Sequence, residues 1–350
     1  MLTNGDLGEL LWTASQEESN HRRRALSRAS RAAHFWAEEA GAVAAAGRSL
    51  TELRSVGPWV AARLEAWLED PPPIPEPDET RRGYLTYAEV RRVLDADPAW
   101  ESTPCADLQM HTTWSDGGLP LEEMVEAARS LGRPYVAITD HSQALQIANG
   151  MAADELAEQG RAIDAMNAAF DGDGDAFRVL RSQEVDLFPD GSIDMDDDSL
   201  GSLDLVLGAF HSALRSKEDE TERYLAALSQ PRLHVLAHPM ARMYGRRAGL
   251  EADWRRVFAE ATRLGKAVEL DATPARQDLT VELATIAREE GVEWFSIGSD
   301  AHTALELEFL PFGMATAALA EIPRERILNY RPVEFVREWA RGDGSDRRAM

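Results

Sequence analysis

The spacing of apolar and polar positions changes character along the chain. Residues 1–68 repeat apolar side chains at helical intervals among Ala and Arg, whereas from residue 106 onward short apolar runs alternate with longer helical patterns. The runs are Ala106-Asp-Leu-Gln-Met-His111, Tyr135-Val-Ala-Ile-Thr-Asp-His141, Val179-Leu-Arg-Ser-Gln-Glu184, Leu205-Val-Leu-Gly-Ala-Phe-His211, Leu233-His-Val-Leu-Ala-His238 and Trp294-Phe-Ser-Ile-Gly-Ser-Asp300-Ala-His302. Helical spacing fills 121–131, 151–170, 218–228, 252–264 and 279–290. Alternation of strands and helices predicts a parallel α/β sheet, and Ala267-Val-Glu-Leu-Asp271 raises the candidate strands to seven.

Composition sets the remaining boundaries. Pro71-Pro-Pro-Ile-Pro-Glu-Pro77 cannot enter a helix or sheet interior and predicts an extended spacer, so the expected organisation is a helical domain over 1–68, a linker with a short helix (84–93) over 69–103, the α/β domain over 104–342 and a polar, frayed tail over 343–350. No internal repeat is evident. No run of about 18 apolar residues occurs and the N-terminus lacks a basic–apolar–small series, which together with a single cysteine, Cys105, predicts a cytoplasmic protein without internal disulfides or multi-thiolate metal sites. The formal charge of −24 argues against gripping nucleic acid by bulk electrostatics. Residues 1–68 are the exception, with eight arginines against eight acidic residues. Carboxylates that hold divalent cations would account for part of the acidity, and the cations would supply a local positive field for phosphate.

The candidate chemistry lies at the ends of the apolar runs. His111, His141, Glu184, His211 and His238 each close a run, Asp300 and His302 together close the last, and parallel α/β barrels carry their chemistry at the C-terminal ends of strands. Residues two apart share a strand face, so Asp107, Gln109 and His111 are expected to point together, as are Asp300 and His302. One such histidine is as readily a satisfied core residue; five at once point to a multinuclear metal site. His21 and His34 fall in the helical segment, where solvated or capping roles are expected. His234 lies roughly 13 Å from His238 along an extended strand and is expected to be packed in the core.

These residues carry a resemblance. Asp107-Leu-Gln-Met-His-Thr-Thr-Trp-Ser-Asp-Gly117, Thr139-Asp-His141, Glu184-Val-Asp186, His211-Ser212, Ala237-His-Pro239 and Ser299-Asp-Ala-His302 resemble, in order, the motifs of the PHP (polymerase and histidinol phosphatase) superfamily. Ala237-His-Pro-Met-Ala-Arg-Met-Tyr-Gly-Arg-Arg-Ala248 is most similar to the PHP domain of bacterial family X DNA polymerases. The resemblance covers residues 104–340 and implies a distorted seven-stranded (βα) barrel with two to three divalent ions, Mn2+ or Zn2+ with Fe2+ as a further candidate. It implies that His111, Glu184 and Asp300 hold one ion, Glu184, His211 and His238 a second, and Asp116, His141 and His302 a third. The implied activity is phosphoester hydrolysis by metal-activated water, with Glu184, His211, Asp300 and His302 carrying catalysis and Asp140 and Asp186 orienting ligands. Arg242 and Arg276 are candidate phosphate contacts, ahead of Arg246 and Arg247. One position departs: Gln109 stands where the Asp-x-His-x-His motif has its first histidine, and a carboxamide oxygen is a harder, weaker donor that favours Mn2+ over Zn2+.

The helical segment resembles the N-terminal DNA-binding domain of the same polymerases. Leu50-Thr-Glu-Leu-Arg-Ser-Val-Gly-Pro-Trp-Val-Ala-Ala-Arg-Leu64 is similar to a helix-hairpin-helix, with Ser55 in place of its first turn glycine and Pro58 removing one N–H donor. Arg24, Arg28 and Arg31 recur at helical spacing and, with the amides near Gly57, form a candidate DNA contact. No space remains for a polymerase palm, so polymerase activity is not expected. Three readings stand: a DNA-end-processing 3′–5′ exonuclease or 3′-phosphoesterase, a small-molecule phosphatase such as a histidinol phosphatase, and a non-catalytic metal-stabilised interaction module that Gln109 would suit. Oligomeric state is not legible.

Overall fold

The computed structural model describes residues 2–350 and divides into two compact units, Met1–Asp97 and Pro98–Met350. Helices make up the first: α1 (Asn4–Glu17), α2 (Asn20–Ala33), α3 (Ala40–Ala45), α4 (Pro58–Glu69) and α5 (Tyr87–Ala96). Thr3 and Asp6 start α1 with a reciprocal capping box, the Thr3 N–H reaching the Asp6 carboxylate at 2.8 Å. Leu7, Leu11 and Ala14 recur on one stripe of α1 and pack with Leu26, Ala29 and Ala33 of α2, over a core completed by Trp36, Val43, Leu50, Val60 and Leu64. The turn into α4 passes through Ser55 at φ 65°, a left-handed backbone that glycine adopts more readily. A second capping box, between Thr86 and Glu89, fixes the start of α5 three residues beyond the predicted 84.

The second unit alternates α6 (Ala99–Ser102), α7 (Leu121–Ser130), β1 (Tyr135–Ile138), α8 (Ala153–Asp173), β2 (Arg178–Asp186), α9 (Asp197–Gly201), β3 (Leu205–Ala209), α10 (Thr221–Leu228), β4 (Val235–Leu236), α11 (Trp254–Leu264), β5 (Ala267–Asp271), α12 (Val281–Glu289), β6 (Phe295–Gly298), α13 (Leu310–Leu319), α14 (Val333–Arg341) and α15 (Gly344–Ala349). All strands are parallel in the order β1-β2-β3-β4-β5-β6. Alternation sorts their side chains: Tyr135, Ala137, Leu180, Leu205, Leu207 and Ala209 fill one face, while Val136, Ile138 and Val179 meet Met124 and Val125 of α7 and Ile163 of α8 on the other.

Three expectations need correction. Among the described residues six strands form rather than seven, because the segment from Asp107 breaks its alternation: Leu108 joins the interior cluster while its neighbour Gln109 reaches Glu184. That segment is nonetheless held between the two edges by parallel bridges, Asp107 to Val136 and Met110 to Ala301. Asp107 Oδ1 also takes N–H groups of Gln109 and Ser299, at 3.3 and 3.1 Å, so a side chain substitutes for part of a ladder. The run ending at His238 keeps only two strand residues, since the His238 N–H turns to Glu269 Oε2 at 2.8 Å. Finally, the polar C-terminus is a docked helix. Asp343 caps α15, and Arg347, 4% exposed, donates to the Trp339 and Ala340 carbonyls while its own carbonyl accepts from Trp294 Nε1. Among the described residues, no helix is long and apolar enough to cross a membrane.

Candidate metal centre

Glu184 lies on the face of β2 that also carries Leu180 and Ser182, so the parity that buries Leu180 in the core aims the carboxylate inward at the strand's C-terminal end. Four imidazoles meet it. His238 Nε2 is 2.7 Å and His211 Nε2 3.2 Å from Oε1, and His111 Nε2 is 3.4 Å and His141 Nδ1 3.5 Å from Oε2. Asp300 Oδ1 approaches His111 Nε2 at 3.1 Å, and Asp116 Oδ1 lies 3.6 Å from His141 Nε2 and 3.3 Å from His302 Nε2. The rings of His141 and His302 each stack on that of His111, with centroids 4.5 and 4.4 Å away.

Three groupings have donor atoms within 4.8 Å of one another: His111–Glu184–Asp300, His141–Glu184–His211 and His111–Asp116–His141–His302. The first repeats the trio expected for one ion, and the last contains the trio Asp116, His141 and His302. Glu184 and His211 gather with His141, while His238 touches Glu184 Oε1. Several buried atoms here lack any hydrogen-bond partner, among them His111 Nδ1, Gln109 Oε1 and Glu269 Oε1. Unsatisfied buried nitrogens and oxygens beside carboxylates are the donor chemistry of a divalent-cation site, so the residues fit the ions they were expected to hold.

Supporting contacts fix the rings and the loop. Asp186 Oδ1 stands 3.3 Å from His211 Nδ1, leaving Nε2 for Glu184, and the Asp300 carbonyl stands 2.9 Å from His302 Nδ1, leaving Nε2 for Asp116. Asp140 ties down the loop that carries Asp116, accepting from Thr112 N, Thr112 Oγ1 and Ser115 Oγ at 2.6–2.8 Å and from Gln159 Nε2 at 2.6 Å. His238 and Asp300 sit at φ 25° and 50°, backbone strain of the kind that gathers at functional sites.

Burial opposes charge throughout, and neighbours decide each outcome. Burial pulls His111 down, but Asp300 and Glu184 outweigh it and hold the imidazole well above its ordinary value. His211, lowered by burial yet raised more by Asp186 and Glu184, reaches about 9. Burial wins at His141, taking it to about 3 against the pull of Glu184. Glu184 is raised by burial and brought well below the carboxylate range by the imidazoles, led by His141 and His238. Asp300 is likewise raised by burial, and Arg276 and His111 more than reverse it.

Arg276 was a candidate phosphate contact, and its Nε stands 3.2 Å from Asp300 Oδ2 and 3.6 Å from Asp271 Oδ2. Arg242 is 2% exposed, Arg247 half-buried and Arg246 exposed. His234 is a core residue whose Nδ1 accepts from the Val206 N–H at 3.0 Å. Two carboxylates went unnoticed in the sequence, Glu269 and Asp271, both buried on the inward face of β5. Burial and then neighbouring carboxylates push both well above their ordinary range. Their signal was Ala-Val-Glu-Leu-Asp itself: acidic residues two apart where an interior strand face is ordinarily apolar.

In the first unit, α2 carries five arginines and His21 without one acidic residue. Arg24, Arg28 and Arg31 are exposed and line one groove with Arg23 and His21; Arg28 also borders a hollow with Ser55, Gly57 and Trp59. Gly57 caps α4 with no side-chain hydrogen bond, and His34 is the C-cap of α2. Trp59, also unnoticed, is 36% exposed between the guanidinium groups of Arg22 and Arg63, at 5.3 and 5.1 Å from its ring.

The PHP domain model matches residues 107–187. Over 231 residues, 66% of this chain, the sequence is 40% identical to the DNA polymerase/3′-5′ exonuclease PolX of Bacillus subtilis, and it covers 40% of that protein's length. A probable phosphatase of Serratia proteamaculans is 28% identical over 242 residues, which span 65% of this chain and 90% of that one. The crystal structure of histidinol phosphate phosphatase from Lactococcus lactis, complexed with Zn, L-histidinol and phosphate, superposes with a TM-score of 0.45 at 15% identity, covering 59% of this chain and 91% of that one.

Proposed function

The chain carries a PHP domain, and on that premise we propose that it is a metal-dependent phosphoesterase that processes DNA ends as a 3′–5′ exonuclease or 3′-phosphoesterase. The observation that carries the reading is Glu184, a fully buried carboxylate with two imidazoles against each oxygen and Asp300 and Asp116 alongside. His111, Glu184 and Asp300 would hold one divalent ion; Glu184 and His211, with His238 and His141 in reach, would hold a second; Asp116, His141 and His302 would hold a third where three are loaded. Such ions, when bound, lower the pKa of water and neutralise phosphoryl oxygens in an in-line displacement. Glu184 spans two sites because a carboxylate has two oxygens to offer. Asp186 sets the His211 ring, and Arg276 holds Asp300 ionised and in place. His302 and Asp116, each about a third exposed, form the open side through which an ester enters.

DNA as substrate is supported by the acid-free, arginine-lined face of α2 beside the uncapped start of α4, and by the 3′-5′ exonuclease activity in the name of the Bacillus relative. A small-molecule phosphatase is the second reading, favoured by the Serratia relative, a probable phosphatase matched over 90% of its length. A side-by-side assay with added Mn2+ on labelled single-stranded DNA, 3′-phosphorylated DNA and histidinol phosphate separates them. Turnover of either DNA substrate supports the first; turnover of histidinol phosphate alone puts the second in its place.

A further inference from the structure

Gln109 occupies the one position where the metal centre departs from its expected pattern, and its surroundings contain a contradiction. The amide Nε2 donates to Glu184 Oε2 at 3.2 Å, the oxygen that also faces His111 and His141. Its Oε1 is buried and accepts nothing. Glu269 is in the same condition: Oε2 accepts the His238 N–H at 2.8 Å, while Oε1 is buried without a partner. Both orphan oxygens crowd Gly298, where a Cβ would stand 2.4 Å from Glu269 Oε1 and 2.7 Å from Gln109 Oε1, so they lie within about 5 Å of each other. Two unpartnered oxygens thus share one buried corner, an arrangement that costs the desolvation of both when Glu269 is ionised.

A half-turn of the amide removes the conflict. The terminal torsion of glutamine is soft and roughly two-fold, and exchanging its ends sends N–H toward Glu269 Oε1 and the carbonyl oxygen toward Glu184 Oε2. Two oxygens face each other favourably only with a cation between them. We propose that Gln109 ligates, through Oε1, the divalent ion held by His111, Glu184 and Asp300, and that Glu269 is the positioning residue that holds the amide in that orientation. This rests on the assignment of those three residues as metal ligands. A neutral amide thereby replaces an imidazole without leaving the site a ligand short, provided that Glu269 supplies the acceptor.

The test exploits the His238 N–H. In Glu269→Gln that N–H requires an oxygen, so the new amide must place its nitrogen where Oε1 was, donating to Gln109 Oε1 and locking Gln109 with its own N–H on Glu184. Apparent Mn2+ affinity, followed by the EPR signal of free Mn2+ in full-length protein freed of metal, should fall about 10- to 100-fold in Glu269→Gln. It should fall similarly in Gln109→Met, which offers no hard oxygen, and Glu269→Gln should add nothing in the Gln109→Met background. Circular dichroism of each metal-free variant separates a lost ligand from a lost fold, and Gln109→His should recover the affinity. If Glu269→Gln binds Mn2+ like the parent, Glu269 is a protonated donor to a fixed amide and the proposal is overturned. Unchanged or tighter binding by Gln109→Met overturns it as well, since the amide would then only compete for Glu184. A parent protein that binds no Mn2+ would remove the metal-site reading itself.

Discussion

Replacing Glu184 by Gln should strip the centre of metal more severely than replacing His141 by Gln, although both residues belong to two of the donor groupings. The asymmetry comes from lone pairs. His141 turns Nδ1 toward Glu184 and Nε2 toward Asp116, but a neutral imidazole has one free lone pair and serves one ion. Glu184 presents Oε1 to His238 and His211 and Oε2 to His111 and His141, so it reaches ions on both sides. Removing a buried, fully engaged charge costs about 3–5 kcal/mol. Divided between two ions, that is roughly a ten- to hundred-fold loss of affinity for each. Elemental analysis across a Mn2+ titration, with hydrolysis of a chromogenic phosphodiester in parallel, reads it out. The expected result is that Glu184→Gln loses two ions and His141→Gln one. Equal losses in the two variants, or none in either, would refute the bridging role of Glu184.

Other consequences are independent of that one. Changing Arg24, Arg28 and Arg31 to Ala should weaken DNA binding and flatten its dependence on salt by roughly three ion equivalents, while turnover of the small phosphodiester stays constant; an unchanged salt dependence would remove the phosphate-contact role. Arg276→Met leaves Asp300 and Asp271 without their cation, so the metal-free protein should lose about 3–5 kcal/mol in urea unfolding, part of it restored by Mn2+; an unchanged midpoint would contradict the ion-pair role. Lys266, whose ammonium donates to the Gln230, Pro231 and Leu233 carbonyls, is pushed by burial to about 7 from 10.5. Between those values the unfolded chain binds the extra proton, so stability should rise with pH across that window, by at most about 1.4 kcal/mol per unit, and Lys266→Met should flatten the rise in urea titrations.

Residues whose placement is local to a strand end were legible. An apolar run closed by one polar residue identifies both the strand and its candidate ligand, which is why His111, Glu184, His211 and Asp300 converge as the pattern predicts. What depends on three-dimensional neighbours was not. Leu108 and Gln109 reach the same interior consecutively, a break in alternation that no periodicity reveals and that turns an expected strand into a bridging segment. Glu269 and Asp271 looked like strand residues because a buried carboxylate is recognised only by what it faces. The carboxylates that the fold sets beside Arg276 leave no mark in the sequence, where it reads only as a loop arginine. Helix α13 escaped notice because Leu310–Leu319 is apolar on nearly every side and has no helical period. The C-terminal helix was hidden by its polarity: Arg347 is buried against Trp339, with its charge met by main-chain carbonyls.

The central claim is that the histidines and carboxylates around Glu184 form a multinuclear metal site. Elemental analysis of the full-length protein, purified without chelator, saturated with Mn2+ and desalted, tests it most directly. At least two divalent ions per chain are predicted, and a stoichiometry near zero would contradict the account.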